Sequence, residues 1–243
     1  MLKYNKIAQD YNNKRKRPWS DFQIYIENLK NSKFAFGGTI MDLGCANGRH
    51  LELLKEPNNK LIGIDNSIEF IDIAQERVKK RFSDERDYNK IQLILSDMNF
   101  LPFRKKSFDT IFSVAVIHHI HNKNLRKEFF SNIHKLLKNK SWLLFTVWRR
   151  WQKKYRNYFF IDWFKRKLII KYKKEQYDKG LVVFGDAFIP WKLSSKDLII
   201  SRYYHFFSAN ELRKFLKQFI IKNFKKIGGP NKKDNFFILA QKL

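Results

Sequence analysis

The stretch Met41-Asp42-Leu43-Gly44-Cys45-Ala46-Asn47-Gly48 closes a short apolar run and opens onto a polar one. Its two glycines allow a tight turn and let backbone amides approach a ligand closely. Asp65 ends the next apolar run, seventeen residues beyond Gly48, where one carboxylate can accept both hydroxyls of a ribose. Asn66 follows it. Asp97 and Met98 close a third run, where a carboxylate or a backbone group can face an adenine amino group, and Ala115 stands at the end of a fourth. Each of these signals alone is more often structural. In this order and spacing they describe a cradle for a nucleoside cofactor, with Asp42, Gly44, Cys45, Gly48, Asp65, Asn66, Asp97, Met98 and Ala115 as its residues. The Cys45 side chain itself is expected to sit inert behind the loop.

A second set of residues is aromatic, basic and imidazole-bearing. It comprises Arg17-Pro18-Trp19, Val116-Ile117-His118-His119, Phe188-Ile189-Pro190-Trp191 and Ser201-Arg202-Tyr203-Tyr204-His205-Phe206-Phe207. A guanidinium pairs with a carboxylate or phosphate through two parallel hydrogen bonds, and tyrosine or tryptophan rings stack on unpaired bases. Packing competes for the same residues. One of His118 and His119 is expected beneath the sheet while the other faces a cleft. Trp19 and Trp191 serve equally well as the core of a cover or as stacking platforms. Tyr203, Tyr204, Phe206 and Phe207 alternate sides on a strand, so at most half can reach a ligand.

Such residues need strand ends and a cover to bring them together. Apolar runs at Thr39 to Leu43, Lys60 to Asp65, Ile91 to Leu95, Phe108 to Val116 and Ser141 to Val147 predict strands. Helical spacing intervenes at Arg49 to Lys55, Ile68 to Arg81 and Lys123 to Lys138. Strands alternating with helices imply a parallel sheet covered on both faces. The tail differs: a helix from Ala209 to Phe219, then strands at Ile220 to Ile227 and Asn235 to Lys242 joined through Gly228-Gly229-Pro230, which make an antiparallel hairpin. The expected fold class is therefore α/β, a mostly parallel Rossmann-like sheet with an antiparallel C-terminal hairpin and helices on both faces. Residues 1–243 are taken as a single domain, with 1–38 an N-terminal helical cover broken at Pro18 and 149–201 an irregular insertion over the carboxyl ends of the strands, where ligands bind in open α/β sheets.

Composition narrows the partners. Fifty Lys and Arg against 23 Asp and Glu give a formal net charge of +27, which points to a polyanion whose phosphates Lys and Arg would neutralise. A uniformly Lys-rich proteome is the competing explanation. Hydrophobic residues at 44% and aromatics at 16% supply a core and exclude wholesale disorder. The single Cys45 forms no internal disulfide, and no Cys/His cluster suggests a metal. No run approaches the ~20 apolar residues of a membrane span, and the polar start Met1 to Lys6 does not suggest a signal peptide. A cytoplasmic protein is expected, with the nucleus also compatible.

The Gly-rich loop, the acidic second strand and the acidic third strand resemble those of class I S-adenosylmethionine-dependent methyltransferases, whose sheet has seven strands. Ala46 stands where that loop more commonly carries glycine. Dinucleotide dehydrogenases fit less well, because the glycine pattern lacks their pyrophosphate-binding sequence. Arg17-Pro18-Trp19, His118-His119, Ile189-Pro190-Trp191 and Arg202-Tyr203-Tyr204-His205 further resemble the eukaryotic tRNA carboxymethyluridine methyltransferases over nearly the whole chain. That resemblance implies S-adenosylmethionine as cofactor and, as reaction, esterification of the carboxylate of 5-carboxymethyluridine at the wobble position of a tRNA anticodon stem-loop. Such a carboxylate is already ionised, so proximity and desolvation suffice without a strong base. Arg202 would clamp it, with His119, Tyr203 and His205 beside it, while Arg17, Trp19, Trp191 and Tyr204 would touch RNA. The family also implies a small zinc-containing activator subunit, forming a heterodimer along an edge strand with Ile91, Leu93, Ile94 and Leu95. The chain's own loop Phe82 to Lys90 or a symmetric dimer would cover that edge otherwise. Another RNA, a protein or a small molecule as methyl acceptor, or a non-catalytic RNA scaffold, are the competing readings; intact Gly44 and Asp65 argue against the scaffold.

Overall fold

The computed structural model describes residues 2–32, 34–82, 89–194 and 198–243. Its N-terminal cover comprises α1 (Leu2–Asn5), α2 (Ala8–Lys14) and α3 (Ser20–Asn31), with the break at Pro18. Alternation follows through β1 (Thr39–Leu43), β2 (Lys60–Asp65), α4 (Ile68–Arg81), β3 (Ile91–Leu95), β4 (Phe108–Val114), α5 (Lys123–Leu136) and β5 (Leu137–Trp148). Local chemistry sets the helix ends. The Ser67 hydroxyl caps α4 by accepting the Phe70 N–H, and Lys79, Lys80 and Arg81 meet the negative end of its dipole. Asn122 caps α5 in the same way through the Leu125 N–H.

Seven strands pair in the order β3-β2-β1-β4-β5-β9-β8, where β8 is Phe219–Ile227 and β9 is Asn235–Lys242. The pairs from β3 to β5 are parallel, whereas β9 runs antiparallel to both β5 and β8. Alternation along the central strands feeds two apolar layers. Met41, Ile111, Phe145 and Ile238 pack with α5 on one face; Ile40, Phe112, Leu144 and Leu239 pack with α3 and α4 on the other. This double coverage explains the nearly continuous apolar runs in the sequence. Both sheet edges, β3 and β8, are single-sided, as expected for Ile91 to Leu95.

Several boundaries differ from the sequence-based expectation. Arg49 to Lys55 yields only a 3-10 turn at Leu51–Leu54. The fourth strand stops at Val114, because Ala115 adopts a left-handed backbone and a 3-10 turn at Ile117–His119 follows. The last helix, α8, is Ala209–Phe215, since Phe219 already pairs with Lys242 in the hairpin. The larger correction concerns residues 149–201, which are not irregular. They contain α6 (Arg156–Leu168), α7 (Ile170–Asp178) and β6 (Asp186–Lys192), the last pairing with β7 (Ile199–His205) in a separate antiparallel ribbon. In α6 only Phe159 and Asp162 are buried, while Phe160, Ile161, Phe164 and Leu168 face outward, so no inward apolar stripe marked the helix. Of the loop Phe82 to Lys90, residues 83–88 lie outside the described residues. Among the described residues no helix is long and apolar enough to cross a membrane.

Candidate active site

A cleft of about 1570 Å3 opens over the carboxyl ends of β1, β2 and β4, roofed by the N-terminal cover and the β6–β7 ribbon. One end is carved from backbone. The Gly44 and Cys45 amides both donate to the Ile64 carbonyl, at 2.7 and 2.8 Å, tying the loop after β1 to β2. Gly44 has φ +78°, and a Cβ there would lie 2.4 Å from Val116 Cγ2. Only glycine allows this loop to abut the loop after β4 and close the cleft floor. The Asp65 carboxylate is oriented by two backbone donors: the Ala46 N–H to Oδ2 at 2.9 Å and the Ser67 N–H to Oδ1 at 3.1 Å. Burial raises its pKa, opposed by those amides and that of Asn66. An ionised carboxylate offers about four acceptor sites, so this cleft-lining group keeps acceptor capacity beyond its backbone bonds for a ribose hydroxyl. Asn66, Met98 and Asp97 continue this wall, the last accepting the Asn99 backbone and side-chain N–H groups at 2.8 Å each.

Ala46 (φ 48°) and Ala115 (φ 60°) also line this end, both in a left-handed conformation that costs roughly 1–2 kcal/mol for a residue bearing a Cβ. Strain of this kind persists where surrounding structure over-determines it. Three residues expected at the cofactor stand instead behind the wall. Asp42 is buried with Oδ2 unpaired, and desolvation plus the nearby Asp65 push its carboxyl up to about 7. Cys45 fills the space beside Gly63, and Gly48 lets the loop sit against Ala74 of α4, where a Cβ would be 3.2 Å away. These three shape the loop; they do not border the cleft.

The other end is built from side chains. Arg202 is only 9% exposed, with its guanidinium 4.7 Å from the Trp191 ring centroid and 5.1 Å from that of Tyr204. Its Nε has no hydrogen-bond partner, and no carboxylate among the described residues forms an ion pair with it. Trp191 is fixed by its indole N–H to Asp10 Oδ2 at 2.7 Å, and Asp10 Oδ1 accepts the Ser194 N–H at 2.9 Å. Although desolvation opposes ionisation, Lys14, Ser194 and Trp191 hold the Asp10 carboxyl well below the usual range. Tyr204 stacks on His118 with centroids 4.7 Å apart. Burial keeps both His118 and His119 neutral, the latter lowered to about 3, with Arg202 adding repulsion.

Of the remaining expected residues, Arg17 is exposed at the cleft mouth among Lys14, Arg15 and Lys16. Trp19 borders the cleft but belongs to the core beneath it: its ring lies 5.1 Å from Phe237 and fills the space that a side chain at Gly228 would need. Tyr203 borders the cleft while its hydroxyl is committed elsewhere, donating to Asp186 Oδ1 at 2.7 Å and accepting from Arg126 at 3.2 Å. His205 is contradicted as a cleft residue. It is fully buried, with Nδ1 2.7 Å from Asp186 and Nε2 3.0 Å from Glu211, so alternation along β7 turns it away from Arg202. The sequence reading overlooked Asp10, Asp186 and Asn47, whose side-chain amide donates to Asn12 Oδ1 and the Arg15 carbonyl to latch the cover onto the Gly-rich loop. The register of the β6–β7 ribbon, which sets Asp186 opposite His205, would have exposed one of these pairings.

Residues 41–145 match a family model described as a methyltransferase domain. A Schizosaccharomyces pombe tRNA (carboxymethyluridine(34)-5-O)-methyltransferase is 27% identical over 98% of this chain and 94% of its own length. A Mus musculus enzyme of the same description is 29% identical over 63% of this chain but only 20% of its own length. Among solved structures, a SAM-dependent methyltransferase from Methanosarcina mazei superposes with a TM-score of 0.67 at 21% identity, covering 88% of this chain and 97% of that one. The N-methyltransferase NodS of Bradyrhizobium japonicum, solved with S-adenosyl-L-homocysteine, gives a TM-score of 0.57 at 14% identity over 92% of this chain and 86% of its own. The strand order and these likenesses give the chain the fold of S-adenosylmethionine-dependent methyltransferases, with residues 41–145 matching their domain.

Proposed function

We propose that this enzyme esterifies the carboxylate of 5-carboxymethyluridine at the anticodon wobble position of tRNA. The observation that carries the reading is Arg202, a buried guanidinium facing the cleft with no carboxylate among the described residues to neutralise it. A buried cation without a counter-ion is costly, and an anionic substrate removes that cost on binding. Planar, bidentate recognition suits a carboxylate, and the Trp191 and Tyr204 faces hold the guanidinium plane in place. Full-length similarity to the fission yeast tRNA enzyme supports the same substrate. The basic mouth from Lys14 to Arg17, the Lys154 side and the net charge of +27 suit a polyanion.

S-adenosylmethionine, when bound, supplies an electrophilic methyl group. The protein's own contribution is to align and desolvate the acceptor. Arg202 holds the carboxylate ionised, and the aromatic and imidazole walls exclude water. Neutral His118 and His119 leave Arg202 as the cation of this wall, and no proton needs to be removed. Methyl transfer to tRNA from cells lacking this modification, followed by nucleoside mass spectrometry, tests the reading: the methyl ester of carboxymethyluridine is expected. Transfer only to a protein or small molecule would overturn it.

The partner belongs to the same reading. β3 ends the sheet with Leu95 45% exposed and Ile91, Leu93 and Ile94 half-buried, an edge suited to pairing with a small zinc-containing activator subunit. Co-expression should yield a heterodimer of higher activity; a monomeric chain whose rate the activator does not change would remove the partner.

A further inference from the structure

Two imidazoles stand side by side at the Arg202 end, their centroids 4.5 Å apart, and their surroundings give them different capacities. His118 is buried against Tyr204. His119 lines the cleft, and its Nδ1 lies 3.0 Å from the Tyr203 carbonyl oxygen. A carbonyl only accepts, so Nδ1 carries the proton and Nε2 keeps its lone pair. Edge-on contacts from Tyr4, at 5.5 Å, and Tyr204, at 4.4 Å, fix the ring plane, which gives that lone pair a set direction. Nε2 has no partner among the described residues. Burial and the Arg202 charge oppose a second proton. His119 is thus a locked acceptor beside a cationic anchor.

An acceptor of this kind does not bind a carboxylate or a phosphate diester, which also only accept, and an ionised carboxylate needs no base. It requires a donor on the substrate. We propose that His119 is a specificity-determining residue, whose Nε2 accepts a hydrogen bond from the imide N3–H of the uracil ring that bears the carboxylate held by Arg202. The inference rests on the proposed reaction and adds to it the means of reading the base. Uracil presents a donor at N3, whereas cytosine presents an acceptor there; the same imidazole therefore satisfies one ring and opposes a lone pair of the other. Sites built to hydrogen-bond a substrate group discriminate strongly against analogues lacking it, because the buried partner is left unpaired.

The test compares anticodon stem-loops carrying 5-carboxymethyluridine, its N3-methyl derivative, 5-carboxymethylcytidine, or the 2′-deoxy form of the first, each assayed for kcat/KM. Wild-type enzyme should prefer the uridine over the N3-methyl and cytidine forms by about 100-fold. His119→Ala should lower that preference at least about tenfold, and His119→Gln, which retains an acceptor, should recover part of it. Calorimetric titration with S-adenosylmethionine should give the same affinity for all three proteins, which separates loss of recognition from loss of fold. Equal losses on every stem-loop, or a discrimination that follows the 2′-hydroxyl instead of N3, would overturn the assignment of His119 alone. Failure of the wild-type enzyme to methylate both the uridine stem-loop and undermodified tRNA would overturn the proposed reaction and this inference with it.

Discussion

At the Asp65 end of the cleft the ligand-facing groups are strand termini and backbone amides inside the seven-stranded sheet. At the Arg202 end they are side chains, Trp191, Arg202 and Tyr204 from the two-stranded β6–β7 ribbon and His118 and His119 from the turn after β4, and polar bonds attach the ribbon to the body. The first arrangement follows from local geometry: a turn with glycine at φ +78° and a carboxylate capped by neighbouring amides. The second depends on partners distant in sequence. Asp10 grips Trp191 across 181 residues, and Asp186, His205, Glu211 and Arg150 tie the ribbon to the helix α8 region.

The two ends also titrate with opposite sign. Asp42 and Asp65 are raised by burial, so in the cofactor-free protein the folded state binds more protons than the unfolded one between about pH 4 and pH 7, and stability falls as pH rises across that window. Asp186 is buried and Glu211 half-buried, yet bonds to His205 hold both below the ordinary carboxylate range. Their stabilisation is complete above the unfolded pKa near 4 and is lost as pH falls through the depressed folded values.

Breaking the ribbon's attachment should have the largest effect. His205→Ala leaves the buried Asp186 and the half-buried Glu211 without their shared partner, and a loss of about 3–5 kcal/mol is expected in chemical denaturation. A loss below about 1 kcal/mol would mean that the ribbon is held by its apolar cluster alone. Arg202→Ala should reduce methyl transfer about 100-fold, since the acceptor loses its alignment, while S-adenosylmethionine binds with nearly unchanged affinity. Asp65→Ala should reverse this pattern, weakening cofactor binding by about 1–3 kcal/mol in calorimetric titration and leaving the ribbon intact. A fall in cofactor affinity with Arg202→Ala as large as with Asp65→Ala would erase the distinction between the two ends.

Asp42→Asn should remove part of the stability lost between about pH 4 and pH 7, so its melting temperature should exceed that of the wild type more at pH 8 than at pH 5. Ala46→Gly should have the smallest effect. It relieves a left-handed alanine but adds chain entropy to the unfolded state, for a net gain below about 1 kcal/mol. The Asp65 carboxylate should keep its bond from residue 46, which a backbone amide provides irrespective of side chain.

The expected spans of β1, β2, α4, β3 and β9 coincide with the observed ones, because strands covered on both faces and a capped helix carry their periodicity in contiguous residues. Helix α6 escaped the same reading, since its outward face is as apolar as its inward one. Gly44 and Asp65 were legible as cleft residues for a related reason: a left-handed turn and a strand-terminal carboxylate are requirements that a few adjacent residues state outright. Arg202, Tyr203, Tyr204 and His205 were recognisable as a group, but their separate duties were not. Sequence alone set the sheet, its doubly covered strands, the Gly-rich loop beside Asp65 and the basic character of the chain, all properties of neighbouring residues or of composition. Only the tertiary structure decided that Arg202 has no counter-ion among the described residues, that His119 is a neutral acceptor and that His205 is part of a buried tie, because each depends on which distant group packs against a given side chain and how much water that packing removes.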